Sequence, residues 1–224
     1  MVDHGNPNMG KDMSGADLRG AELKGADLSR ADLRGANLTT AKLNDANVEG
    51  ADLSGALLNQ AHLDRANLRG ANLTNAKLIG AVLDDADLEG AILTNADLRI
   101  AFFNGTNLKG ANLVKANLWC ADFSETNLSG ANLEGANLTG FEDIEGLEEL
   151  GVNFEGANLD GIIHEGKLTL TDEEWLIGHK RMMAEVVDSY SATSASSSTS
   201  GCATLIVLTA LPLLFFVSWL LSHA

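Results

Sequence analysis

Two cysteines in 224 residues, Cys120 and Cys202, make no disulfide framework. The first ten residues carry no basic run followed by an apolar one, so they do not read as a secretory leader. Five histidines are scattered at positions 4, 62, 164, 179 and 223. None has metal-ligand spacing with Cys, Asp or Glu. No nucleophile motif occurs, and no glycine loop that could cradle a phosphate. The G-G-x-G-x-D pattern of calcium-binding repeats is missing. A flat threonine array is missing too, since Thr74 and Thr94 are only a pair. These absences argue against catalysis, a metal site and a cofactor.

The charge is uneven. The net value is −16, yet residues 11–140 hold 17 Asp and Glu against 12 Lys and Arg. Residues 141–224 hold 13 acids and 3 bases, and the acid is gathered between Glu142 and Glu174.

What the chain does have is a period of five. From Ala16-Asp17-Leu18-Arg19-Gly20 to Ala136-Asn137-Leu138-Thr139-Gly140, 25 units follow without a slip. Place one is Ala except at Thr106 and Thr126. Place three is Leu except at Val48, Phe103 and Phe123. Place two is mostly Asn or Asp. A fixed short period marks a repeat architecture. A helix does not suit it, because five residues advance about 500° and spread Ala and Leu around the whole surface. A short strand does. Places one and three then share a side and place two takes the other. Places four and five turn the corner, which suits the Gly, Asn, Asp, Ser and Thr found there. Strand and corner repeated wind the chain into an all-β solenoid, with Ala and Leu as interior ladders.

The Ala-Asp/Asn-Leu-x-x units resemble the pentapeptide repeat family. The resemblance implies a right-handed quadrilateral β-helix with four units, or 20 residues, per coil. Residues 20 apart should then stack, as the pairs Phe103/Phe123 and Thr106/Thr126 suggest. At about 4.8 Å between strands, six coils make a rod of roughly 30 Å. Some members of the family imitate duplex DNA and bind DNA gyrase, so a topoisomerase-binding role is the alternative that the resemblance implies.

In chain order, residues 1–10 are polar and read as a disordered N-terminus ahead of the rod. The rod runs over 11–161, with Met13 of a degenerate first unit as an end plug. At Phe141 the register breaks, and 141–151 reads as a bulge or acidic loop. Two units return, Val152 to Gly156 and Ala157 to Gly161. Residues 162–188 hold a closing strand at Lys167–Leu170 and a helix. Thr171 and Glu174 form a capping box at its start, and Trp175, Met182, Val186 and Tyr190 recur at helical spacing. This helix either plugs the rod's open end or binds a partner or a second copy. Residues 189–201, rich in Ser, Ala and Thr, are a linker. Residues 202–221 carry no charge over 20 positions, the length of a transmembrane helix, with Pro212 inside and Trp219 near one end. Lys180 and Arg181 upstream favour a single-pass tail anchor with the rod on the cytoplasmic side.

One irregularity marks the surface. Place two on one face reads Asp27, Asn47, Asn67, Asp87, Asn107, Asn127; on another it reads Glu22, Lys42, His62, Val82, Phe102, Asp122. Leu57, Ile79, Ile100 and Trp119 fall near a corner of that second face. With Val82 and Phe102 they form a candidate partner-binding stripe, expected to point outward because strand alternation gives them no interior. The reading is a non-enzymatic, membrane-tethered interaction or scaffold module. Its partner is a protein, or a second copy of the chain, and no direct nucleic-acid contact is expected.

Overall fold

The structure is a computed structural model and describes residues 11–140 and 151–163. Every place-two residue from Asp12 to Asn117 makes a parallel bridge to the residue twenty positions on, from Asp12↔Asp32 to Asn117↔Asn137. Twenty residues are four units, so each coil has four faces. We number them by their place-two columns. Face 1 starts at Asp12, face 2 at Asp17, face 3 at Glu22 and face 4 at Asp27.

The unit repeats because nearly all its backbone donors find backbone acceptors. Around Leu88, the Asp87 N–H donates to Ala66 of the coil below at 3.0 Å, and the Leu88 N–H to Asn107 of the coil above at 2.7 Å. The Gly90 N–H reaches Lys109 above at 2.9 Å, and the Ala91 N–H closes the turn on Leu88 at 3.0 Å. Only the place-four N–H lacks a backbone acceptor in this scheme. The place-two side chain supplies it: Asp87 Oδ1 accepts from the Glu89 N–H at 3.1 Å. Unpaired backbone donors are costly, which explains Asn and Asp at place two better than solubility does.

Place five explains the glycines. All residues there from Gly15 to Gly140 have positive φ, twelve of them not glycine. Asn and Asp tolerate that region, but Thr40 (φ 57°) and Ile100 (φ 51°) are β-branched and strained in it.

The interior is built as the period implies. From Ala31 to Leu138, every place-one and place-three residue is buried, most of them at 0–1% exposure. Phe103 and Phe123 stack with centroids 5.2 Å apart and planes at 5°. Thr106 and Thr126 are fully buried. Their hydroxyls donate to the Leu83 and Phe103 carbonyls of the coil below, at 2.7 and 2.8 Å. A polar group is thereby carried into an apolar column with its hydrogen bond made. Met13, Leu18 and Leu23 pack against the core from the N-terminal end.

Beyond Gly140 the spacing changes. Asn127 pairs with Asn153, Asn132 with Asn158 and Asn137 with Ile163, all 26 apart. In the sequence Leu138 to Phe154 is 16 residues, one more than three units; in the structure that slip is six extra residues in a single coil, one unit plus one. They enter where face 3 would continue, between Gly140 and Gly151. The acidic loop within 141–150 lies outside the described residues. So do the N-terminal segment 1–10, the closing strand at 167–170, the capping helix, the linker and the span at 202–221. Among the described residues no helix is long and apolar enough to cross a membrane.

Candidate interaction face

Face 4 is what the fold asks for. Each described place-two residue on it is Asn or Asp, and the carboxamides form a ladder between coils. Asn107 Nδ2 donates to Asp87 Oδ1 at 2.9 Å, and Asn67 Nδ2 to Asn47 Oδ1 at 3.2 Å. Each also serves its own turn, as Asn107 Oδ1 does for the Lys109 N–H at 3.2 Å.

Face 3 abandons the pattern at Lys42, His62, Val82 and Phe102, none of which carries the carboxamide or carboxylate oxygen used elsewhere. The orphaned donor finds another acceptor. The Asn104 N–H, two residues past Phe102 in the same unit, takes Asp84 Oδ1 of the coil below at 3.1 Å. On face 2, where Lys77 stands at place two, the Ile79 N–H takes Asn59 Oδ1 at 3.1 Å. In these two units an Asn or Asp at place four, one coil down, replaces the missing acceptor at place two.

The stripe residues fall on consecutive coils. Val82 and Phe102 are bridge partners. Ile79, Ile100 and Trp119 lie at the corner between faces 2 and 3. The Ile100 N–H donates to the Trp119 carbonyl at 2.9 Å, and Ile100 Cδ1 leans over Gly80, 3.8 Å from where a Cβ there would sit. Leu57 stands in the face 2 column between Asn37 and Lys77. All six stripe residues are half-buried rather than open to solvent. Coils at strand spacing let each side chain cover its neighbour's flank. Among the described residues, the large apolar ones most open to solvent are Ile92 on face 1, at 40% exposure, and Ile163 on face 2, at 57%. Neither figured in the sequence reading, although the same twenty-residue sort sets Ile92 in a column of Asp and Asn.

Charge is also sorted. Arg19 pairs with Asp17, Arg34 with Asp32 and Arg99 with Asp97, each within one unit. Arg65 forks onto Asp45 at 2.8 and 3.1 Å. Arg69 reaches Asp87 at 3.0 Å and Glu89 at 2.5 Å. Against this, the corner between faces 3 and 4 collects Asp64, Asp84 and Asp85, with Asp122 above on face 3. Partial burial pushes the Asp84 carboxyl above its ordinary pKa, and Asp64, Asp122 and Asp85 add to the shift. His62 approaches Asp64 at 4.0 Å. Burial pushes the Cys120 thiol up to about 11, so it is not an activated nucleophile. Among the described residues, no group of three or more His, Cys, Asp or Glu could hold a metal ion.

The family model for pentapeptide repeats, in eight copies, matches residues 12–50, 41–78, 71–110 and 101–140. Among solved structures, HetL of Nostoc sp. strain PCC 7120, a pentapeptide repeat protein involved in heterocyst differentiation regulation, is 34% identical. The match covers 67% of this chain and 73% of HetL, with a TM-score of 0.36. A pentapeptide repeat protein of the Arabidopsis thaliana thylakoid lumen is 32% identical over 60% of this chain and 74% of its own, with a TM-score of 0.28. Rfr23 of Cyanothece 51142 is 40% identical over 46% of this chain and 60% of its own, with a TM-score of 0.27. A search of curated proteins returns no match. The repeat matched from residue 12 to residue 140 covers more than half of the sequence, and the chain belongs to the pentapeptide repeat family of right-handed quadrilateral β-helices, which serve as structural or interaction modules.

Proposed function

We propose that this protein is a membrane-tethered interaction module whose rod presents face 3 and its corner to a protein partner. One observation carries the reading. Face 3 gives up the Asn/Asp column that the backbone uses on face 4, and it does so with apolar side chains on consecutive coils. At Phe102 the acceptor lost from place two is supplied instead by Asp84, one coil down. A contiguous apolar patch on an otherwise polar rod is the ordinary sign of an interaction surface. The tether rests on the uncharged residues 202–221, with 189–201 as the flexible link and the rod on the cytoplasmic side.

Two experiments test the two halves. Changing Ile100, Phe102 and Trp119 together to Ser should leave the β-type circular dichroism intact and abolish partner capture or self-association. A variant that folds and still binds removes face 3 from consideration. The full chain should stay with membranes through alkaline carbonate, while a chain ending at Ser200 should not. Release of the full chain by carbonate would mean peripheral attachment.

The topoisomerase-binding alternative asks for arrays of uncompensated carboxylates resembling phosphates. Here Asp17, Asp32, Asp45, Asp87, Glu89 and Asp97 are engaged by arginine. Inhibition or protection of gyrase in a supercoiling assay at low micromolar protein would nevertheless put that reading first.

A further inference from the structure

We propose that face 3 seats a basic amphipathic helix of a partner protein, its apolar row on Ile100, Phe102 and Val82 and its basic row on the acidic corner of Asp64, Asp84 and Asp85. The inference rests on the reading of face 3 as the interaction face and adds the chemistry of what binds there.

Three observations support it. The first is the arrangement. Val82 and Asp84 are places two and four of one unit, and the stripe and the acids climb the rod as neighbouring columns. A helix laid along the rod repeats its side-chain rows every ~5.4 Å against a coil repeat of ~4.8 Å, so three coils match about ten helical residues. An apolar row beside a charged one is the pattern of helix-in-groove recognition.

The second is charge. Arg65, the arginine of that corner, forks onto Asp45. Partial burial raises the Asp84 carboxyl above its ordinary pKa, and the nearby Asp64, Asp122 and Asp85 add to the shift. Cations from outside would offset that gathered charge.

The third is strain. Ile100 is β-branched and holds φ 51°, in a column shared with Gly20, Gly80 and Gly140 and with Thr40, Gln60 and Cys120. Glycine there would spare the backbone, so the side chain is present for what it offers to the surface.

A second copy of the chain fits less well. Facing rods with antiparallel axes bring acidic corner against acidic corner. Rods with parallel axes bring it against Arg99, which already forks onto Asp97 at 2.8 Å through two nitrogens.

The test uses the full chain with Trp175→Phe and Trp219→Phe, which leaves Trp119 as the reporter beside the stripe. The probe is a synthetic Leu/Lys helical peptide of about 18 residues, and the control replaces its Lys with Glu. Saturable change in Trp119 emission is expected with the Leu/Lys peptide, and the Leu/Glu peptide should bind at least about tenfold more weakly. Phe102→Ser should lose the response. Asp84→Asn with Asp85→Asn should weaken it about fivefold or more and flatten its salt dependence. The carboxamide that Asp84→Asn introduces still offers an oxygen to the Asn104 N–H, so folding is not at issue. Asp12→Asn with Asp17→Asn, acids at the far end of the rod, should change nothing.

Equal response to both peptides would overturn the basic partner while leaving face 3 an interaction face. Loss of response with Asp12→Asn and Asp17→Asn would reduce the binding to the net charge and overturn the site. A concentration-dependent dimer in sedimentation, abolished by Phe102→Ser, would assign the face to a second copy instead. Absence of any response would sink the inference alone, and the triple Ser variant above would still decide the interaction face.

Discussion

Faces 3 and 4 share one buried interior. From Ala41 to Leu128 their place-one and place-three residues are buried to within a few per cent, with Phe103 and Phe123 behind face 3 and Thr106 and Thr126 behind face 4. In front, face 4 keeps Asn or Asp at every described place two, and face 3 mixes Glu, Lys, His, Val, Phe and Asp in six coils. The difference separates what the fold requires from what it permits. The inward places are required everywhere. The place-two oxygen is required only as an acceptor for one N–H, and a neighbour can supply that. A face that delegates this duty, as Phe102 does to Asp84, is free to present other chemistry to a partner.

The comparison breaks first at the interior. Leu88→Asp should unfold several coils, because a carboxylate placed in a stacked apolar column has no partner. The cost exceeds about 4 kcal/mol, comparable to much of a domain's stability. Thermal melting followed by circular dichroism reads it. A variant that melts like the parent would mean that place three does not face inward.

Gly140→Ala comes next. Gly140 has φ 104°, and a Cβ there would lie 2.5 Å from Cys120 Sγ and 3.1 Å from the Cys120 backbone nitrogen. The backbone contact cannot give way as a flexible side chain can. We expect a loss of about 2–3 kcal/mol in chemical denaturation, from the left-handed φ and the overlap together. Gly130→Ala is the control, with nothing within 4 Å of its Cβ, and should lose about 1 kcal/mol. Equal losses at the two sites would show that crowding at Cys120 is unimportant.

The reading of the sequence was strongest where one residue type repeats for one physical reason. The inward Ala and Leu follow from the period of five, while the twenty-residue coil was what the family resemblance implied, and the pairing of Phe103 with Phe123 follows from it. The matched Thr106 and Thr126 were visible as a pair, but their bonds to carbonyls of the coil below were not. Those depend on where a carbonyl sits in three dimensions. The stripe was legible as a column and not as an exposure, since half-burial comes from side chains leaning along the rod, as Ile100 does over Gly80. The acidic corner was missed because its members stand at places four and five of different coils, which a sort by place two passes over. The six-residue insertion looked like one residue because five of the six restore the frame.

Asn107→Ala compares the two faces directly. It removes the acceptor of the Lys109 N–H and the donor to Asp87 Oδ1. The loss should be about 1 kcal/mol, that of a net hydrogen bond or two on a half-buried face. Phe102→Asn should lose less in spite of its larger volume change, because Asn suits place two by its own chemistry. If Phe102→Asn were the more damaging, the side chain would belong to the fold rather than to the surface, and the distinction between the faces would collapse.

The smallest effect is electrostatic, and its pH dependence carries the information. In the folded chain, partial burial disfavours the Asp84 carboxylate, with Asp64, Asp122 and Asp85 adding to it, so its pKa stands above the unfolded value. The charged form is therefore a penalty on folding. It is fully present above the raised pKa and disappears as pH falls below the unfolded value of about 3.9. Asp84→Asn removes the charge and keeps the acceptor for the Asn104 N–H. It should stabilise the rod at neutral pH by a few tenths of a kcal/mol after allowance for solvent screening, and the gain should vanish in acid. Asp45 behaves oppositely. Its hydrogen bonds from Arg65 hold its pKa low, so the stability it contributes is present above the unfolded pKa and is lost as pH falls through the lowered one. Asp45→Asn should consequently weaken the rod at neutral pH and converge with the parent in acid. Urea midpoints at pH 7 and in acid test both. Opposite signs at pH 7 separate the stretch of that corner around Asp84, where carboxylates gather, from the stretch around Asp45, already paired with Arg65. A destabilised Asp84→Asn would mean that the acids there serve the fold, and the corner would lose its claim to an outside cation.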